Sequence, residues 1–242
     1  MKKALIIALS SFLLFGCDRT NNDDPVRVDF DPYIVENYLR DAKQLYFHEI
    51  IQDSTHANFN NPILDQNEIN KILEIIQAVY NSTTPERDTV FDVYRTHGYY
   101  CYDFSSIYLK VHPEFAEIQN LANGIFPTGD PALDHILSTY EFDSVSRFSS
   151  YPNFAWLSIY TQNEYNLIPA EREFAGLASI QVAEFNKGCI GDGDNITLAR
   201  YADFDIIIFS IGRGDCPAGC IYHRYWEFKV ANGTAEFIRS YE

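Results

Sequence analysis

Basic side chains are scarce in this 242-residue chain. Lys and Arg together number 18 against 34 Asp and Glu, a formal net charge of −16. No basic stripe interrupts that surplus, so nothing offers footing to the phosphate backbone of a nucleic acid, and the acidic surface repels anionic headgroups. A long apolar run is missing as well. The apolar segment 4–15 covers about 18 Å at about 1.5 Å per residue, well short of the about 30 Å of a hydrocarbon core, so it does not read as a retained membrane span.

Several catalytic signatures are absent. His48-Glu49-Ile50-Ile51-Gln52 has Gln52 where a zinc protease needs its second histidine. There is no Gly-x-Ser-x-Gly elbow. Gly212-x-Gly214 meets Pro217 where the dinucleotide fingerprint needs a third glycine, and no Lys-Ser or Lys-Thr follows a glycine-rich loop. Nucleotide binding therefore has no support, and the sequence calls for no cofactor. The six histidines, His48, His56, His97, His112, His135 and His223, are scattered. Only a carboxylate pair for glycoside hydrolysis stays open, because separation in space is invisible in a linear sequence.

The amino terminus is present in strong form. Lys2 and Lys3 give a positive start, residues 4–15 an apolar stretch, and Leu14-Phe15-Gly16-Cys17 places a small residue before a cysteine. This pattern resembles the lipobox of bacterial lipoprotein signal peptides. The resemblance implies cleavage before Cys17, lipidation of Cys17, and a membrane partner reached through the lipid anchor. Residues 18–31 open with Asp18-Arg19-Thr20-Asn21-Asn22-Asp23-Asp24-Pro25, polar and acidic, and read as a flexible tether. Asp18 resembles an inner-membrane retention signal of some Gram-negative groups, whereas acidic residues near the cysteine resemble a surface-export signal of others. The expected location is the cell envelope, on the periplasmic face or the cell surface.

Losing Lys2 and Lys3 leaves 16 basic residues against 34 acidic, so −16 becomes −18. With hydrophobic residues at 46%, residues 32–242 suffice for one globular domain. Aromatics stand at 15%, with clusters such as Tyr99-Tyr100 and Tyr102. Such rings pack cores, and they also line sugar-binding clefts.

With Cys17 spent on lipid, four cysteines remain, and an even number outside the cytoplasm suggests disulfides. Pro217-Ala218-Gly219 is a turn composition that brings Cys216 and Cys220 together, which leaves Cys101 for Cys189. Cys216, Cys220 and His223, with Cys189 as a fourth, also have the residue types of a zinc site, but an oxidising compartment argues against free thiolates. Asp192, Asp194 and Asn195 form the corresponding calcium candidate, although Ile196 and Thr197 stand where an EF-hand loop needs Asp or Asn and then Gly. Gly214-Asp215-Cys216-Pro217-Ala218-Gly219-Cys220 resembles a Gly-Asp-Cys-Pro-x-Gly-Cys segment of uncharacterised exported proteins of Gram-negative bacteria. That resemblance carries no activity with it.

Two amphipathic helices are expected first. In 31–53, Val35, Tyr38, Leu39, Ala42, Leu45 and Tyr46 recur at three and four, with Pro32 in the first turn. Ile69, Ile72, Leu73, Ile76, Val79 and Tyr80 repeat the period behind an Asp65 cap. Residues 89–95 alternate like a strand. Then come a strand at 107–111, helices at 113–121 and 131–140, strands at 144–148 and 154–160, a helical stretch at 162–174 and a strand at 179–185. Thr161 and Glu164 suggest a capping box for that stretch, and Pro169 argues for a kink or a late start.

With 113–121 as an insertion, the order is β-α-β-β-α-β. This is the ferredoxin-like pattern, and it loosely resembles the propeptide and inhibitor modules of subtilisin-type proteases. Ile206-Ile207-Ile208-Phe209 reads as a central strand apolar on both faces, and 222–230 as its neighbour. Asn232-Gly233 signals a two-residue hairpin, which pairs Lys229 with Glu236, Phe228 with Phe237 and Trp226 with Arg239.

The expected protein is α+β. It has two N-terminal helices, a mainly antiparallel sheet with a ferredoxin-like β-α-β-β-α-β core, and a C-terminal β-hairpin. The expected role is a non-catalytic binding or structural module on a membrane, with a protein or glycan partner. The alternatives are a protease propeptide-like or inhibitor-like module and a carboxylate-based glycan hydrolase.

Overall fold

The computed structural model describes residues 29–242. The expected export signal at 1–17, with Cys17 as its expected lipidation residue, and residues 18–28 of the expected tether lie outside the described residues.

Helix α1 spans Pro32–Gln52 and α2 spans Gln66–Tyr80. Each starts where a carboxylate takes up an orphan amide: Asp31 accepts from Tyr33 N at 2.8 Å and Asp65 from Asn67 N at 2.9 Å. The apolar faces then bury Ile34, Tyr38, Ala42, Leu45 and Phe47 on α1 and Ile69, Ile72, Leu73, Ile76 and Val79 on α2, and the helices pack on each other.

Residues 89–95 do not form a strand. Pro85–Asp88 is a short helix, α3, capped by Thr84, and the chain continues through a π turn at Thr89–Val93. Adjacent Val90 and Phe91 are both buried and 92–95 are exposed, a pattern no strand produces. Arg87 fixes the corner by donating to Tyr80 O at 2.8 Å.

Two antiparallel four-stranded sheets stand where a single sheet was expected. The first contains β1 (Ser106–Val111), β2 (Ser144–Tyr151), β3 (Phe154–Tyr160) and β4 (Ile180–Glu184), in the order β2-β3-β1-β4. Between them run α4 (Ala116–Ala122), α5 (Pro131–Thr139) and α6 (Ile168–Ala175). β3 is antiparallel to both β1 and β2, so β1 and β2 run parallel with β3 between them. By the same reasoning β3 and β4 are parallel around β1. Two interlocked split β-α-β units result, the arrangement of a ferredoxin-like core with α4 as an extra helix.

The 162–174 helix begins late, at Ile168, with Pro169 in its first turn. The expected capping box does not form. Thr161 Oγ1 accepts from Asn163 N, while Glu164 is drawn into an ion pair with Lys43 on α1.

The second sheet is a meander of β5 (Asn195–Arg200), β6 (Asp205–Arg213), β7 (Tyr222–Ala231) and β8 (Thr234–Tyr241). Asn232 (φ 50°) and Gly233 (φ 72°) make the hairpin turn, and Lys229↔Glu236 and Phe228↔Phe237 pair as expected. A bulge between Glu227 and Phe228 then shifts the register, so Arg239 faces Glu227 at 2.7 Å and Trp226 faces Ser240. β6 is central: Ile207, Phe209 and Ile211 are buried on one face, while the other face is half-buried at Ile206 and Ile208 and buried at Ser210 and Gly212.

α2 packs against β6, β7 and β8, and Phe47 of α1 meets Tyr102, Phe104 and Phe185 edge-on at 5.1, 5.4 and 5.8 Å. One cluster of buried apolar residues thereby runs from the first sheet through α1 and α2 to the second.

Candidate binding face and disulfide-pinned loops

Strand alternation gives the first sheet two unlike faces. Ile107, Leu109, Val111, Ala155, Leu157 and Ile159 are buried in the core together with Ile118, Leu133, Ile136 and Phe174 of the helices. The opposite face carries six aromatic rings: Tyr108, Phe148, Tyr151, Phe154, Trp156 and Tyr160. Phe148 is 57% exposed, Tyr151 54% and Tyr160 37%, and the others are half-buried.

Cross-strand register sets the spacing of these rings. Tyr151 lies opposite Phe154, with ring centroids 4.6 Å apart and stacked. A bulge at Phe148 turns that ring onto Trp156, stacked at 6.0 Å, and sets it edge-on to Tyr108 at 6.3 Å. Between the rings the same face carries Ser146 and Ser158, and Ser146 Oγ meets Tyr160 OH at 3.0 Å. At about 3.3 Å per residue, the strip along β3 is about 20 Å long. Among the described residues only Lys110 and Glu184 bring charge to it, and the Lys110 ammonium sits 4.4 Å from the centre of the Phe154 ring. The neutral strip contrasts with the acidic chain that carries it. Its edge strand β2 is kinked by the bulge and carries Arg147, two devices that discourage pairing with a further strand.

The sequence-predicted metal and cysteine residues gather at one end of the second sheet. Cys101 and Cys189 are at disulfide distance, Cα atoms 5.1 Å apart, as are Cys216 and Cys220 at 3.9 Å. The three calcium candidates take separate tasks. Asp192 accepts from Gly193 N at 2.7 Å and Cys220 N at 3.3 Å, with His223 Nε2 at 2.8 Å. Asp194 accepts from Gly212 N and the Arg213 guanidinium, at 3.0 and 2.6 Å. Asn195 Oδ1 accepts from Tyr99 N at 2.8 Å. Hydrogen bonds from amides and His223 hold the Asp192 carboxyl below the usual carboxylate range. Of the zinc candidates, Cys189 is bonded away to Cys101. Asp192 takes its place, with one ligand atom each from Asp192, Cys220 and His223 within 4.8 Å of one another.

A second carboxylate–imidazole pair had no sequence signal. His97 Nδ1 lies 2.8 Å from Asp41 Oδ2, across 56 residues, and Asp41 Oδ1 also accepts from Gly98 N at 2.6 Å. The hydrogen bond to Asp41 raises the His97 pKa above the ordinary imidazole value despite partial burial, with Asp194 adding to the effect. His48, by contrast, is pushed down by burial and bonds Tyr102 OH at 2.7 Å.

A cavity of 450 Å³ between α5 and the segment 161–163 is lined by Phe126, Pro127, Leu137 and Phe142 and by three carboxylates, Asp134, Glu141 and Asp143. Asp134 is spent on Thr128 N, Thr128 Oγ1 and Gly129 N, which hold its pKa down, and Glu141 accepts from Asn163. A depressed, fully engaged Asp134 is a poor general acid for glycoside hydrolysis.

Compared with family models, with curated proteins and with solved structures, the chain matches none.

Proposed function

We propose that this protein is an exported, lipid-anchored binding module without catalytic activity, fixed to a membrane of the cell envelope through Cys17, which reads neutral glycans with the open face of its first sheet. The single observation that carries the recognition step is the aromatic strip from Tyr108 to Tyr160 across β1, β2 and β3. Exposed rings held in register on a rigid sheet cost little further entropy when they meet the apolar face of a sugar ring, and the phenols with exposed Ser146 supply hydrogen bonds to its hydroxyls. The near absence of charge favours a neutral polymer over an anionic one.

Electrophoresis through gels containing hydroxyethyl cellulose, galactomannan or alginate tests this reading. Retardation by a neutral polymer, lost in a Phe148→Ala/Trp156→Ala variant that keeps its circular dichroism, is the expected result. Free migration of the wild-type protein in every neutral gel overturns it. The anchor has its own check: mass spectrometry of detergent-extracted protein should find a diacylglyceryl group on Cys17, and an unmodified Cys17 in membrane-derived material removes it.

The order β2-β3-β1-β4 also favours a second reading, a propeptide-like or inhibitor-like module acting on subtilisin-type proteases. Stoichiometric inhibition of such an enzyme would support it. Full protease activity at a tenfold excess of this protein would dismiss it.

A further inference from the structure

We propose that Asp192, Cys216, Cys220 and His223 form a zinc site that the Cys216–Cys220 disulfide keeps closed, so that metal uptake is conditional on reduction of that bond. The geometry comes first. A carboxylate oxygen of Asp192, Cys220 Sγ and a ring nitrogen of His223 lie within 4.8 Å of one another, close to what one ion can bridge with ligands at about 2.0–2.3 Å. Cys216 Sγ is bonded to Cys220 Sγ and therefore sits at the same place. The four side chains come from two loops and the start of β7, and all of them are half-buried, so an ion has a way in.

The frame that holds them does not depend on the sulfur–sulfur bond. Asp192 N donates to Cys216 O at 2.9 Å, Gly219 N donates to Cys216 O at 3.1 Å, and Ile221 N donates to Arg213 O at 3.0 Å. These backbone bonds keep the two loops together when the sulfurs part. His223 is fixed separately by the β6–β7 ladder, opposite Gly212.

While the disulfide stands, the cluster offers an imidazole and a carboxylate only, two ligands where structural zinc takes four. A dithiol reductant changes the count. Its two thiols are oxidised to a disulfide, and the Cys216–Cys220 bond takes up the two electrons and two protons to give two thiols. Zinc then displaces both thiol protons, and two thiolates, the imidazole and the carboxylate complete a tetrahedral set. Two sulfur ligands select zinc over calcium or magnesium. Zinc uptake exchanges the 2.8 Å hydrogen bond between Asp192 and His223 for two metal bonds, whereas Asp194 and Asn195, the other calcium candidates, stay on Gly212, Arg213 and Tyr99.

Zinc titration against a chromophoric chelator tests this on the purified protein, oxidised and after treatment with a phosphine reductant that does not hold zinc. The expected result is one zinc per chain after reduction and none before. His223→Ala and Asp192→Ala should each weaken uptake by about tenfold or more. In the reduced protein, cobalt(II) in place of zinc should give a sulfur-to-metal charge-transfer band that is absent from Cys216→Ser/Cys220→Ser. Zinc uptake by reduced protein no greater than by that double variant overturns the proposal, and so do His223→Ala and Asp192→Ala variants that bind as tightly as wild type. Loss of the circular dichroism spectrum in Cys216→Ser/Cys220→Ser, which leaves Cys101–Cys189 intact, overturns it equally, because the backbone frame is required to outlast the disulfide.

Discussion

The Asp41 carboxylate holds His97 from one oxygen and the Gly98 amide from the other, at 2.8 and 2.6 Å, and so ties the 95–98 segment to the middle of α1. Because the partner is an acid, the folded state favours protonated His97. The resulting stabilisation is complete below the ordinary histidine pKa of about 6.5 and is lost as pH rises through the raised folded value. An NMR titration should place His97 above that ordinary value, and Asp41→Asn should bring it down. Denaturant midpoints followed from pH 5 to 9 should fall less steeply with pH in His97→Gln than in wild type. Parallel curves for the two proteins would refute the pairing.

Phe148 and Phe209 separate binding from stability. Phe148 is 57% exposed, so Phe148→Ser should shift stability by no more than about 0.5 kcal/mol while weakening retention in neutral-glycan gels. Phe209 is fully buried between Phe91 and Phe228, with centroids at 5.4 and 6.0 Å, and Phe209→Ala should cost about 3–5 kcal/mol. Urea melts of both variants give the comparison.

Gly212 is required by its neighbours. A Cβ there would collide with Cys220 Sγ and lie 2.9 Å from the Gly193 carbonyl oxygen. Gly212→Ala should therefore push the β6 end away from the 191–194 loop, at a cost of about 1–3 kcal/mol. Quantifying free thiols in the variant shows whether Cys216 and Cys220 still pair, and unchanged stability with a full disulfide count would contradict the packing.

The Cys101–Cys189 bond joins positions 88 residues apart, linking the segment before β1 to the loop before β5. Its removal in Cys101→Ser/Cys189→Ser should cost about 2–5 kcal/mol, mostly through the freedom returned to the unfolded chain. Denaturation of that variant against wild type, both without reductant, measures it.

Much of the secondary structure was legible because its signals are local. Asp31, Pro32 and Asp65 start helices by satisfying nearby amides, and Asn232-Gly233 accepts the positive φ that a tight hairpin needs. Errors arose where a distant partner or a backbone irregularity decided the outcome. Glu164 went to Lys43 on α1 instead of capping α6. The bulge at Glu227 and Phe228 moved Arg239 by one partner, with no residue in the strand to announce it. The alternation of Phe154, Trp156 and Tyr160 with Ala155, Leu157 and Ile159 was readable, but the side the helices would cover depends on how α4, α5 and α6 cross over. Asp192 and His223, 31 residues apart, meet only once β6 and β7 have paired.

The position of α2 has a consequence for the order in which the chain acquires structure. Its apolar stripe, Ile69 to Val79, finds part of its cover on β8, which is synthesised after every other strand of the two sheets. A chain emerging amino terminus first can close the interlocked units of the first sheet once residue 184 is out, yet α2 stays partly bare until residue 241 follows. For that interval the molecule presents a sticky helix to its surroundings. The meander that finally covers it pairs each strand with its nearest neighbour in sequence, the quickest kind of sheet to assemble, which keeps the window of vulnerability short.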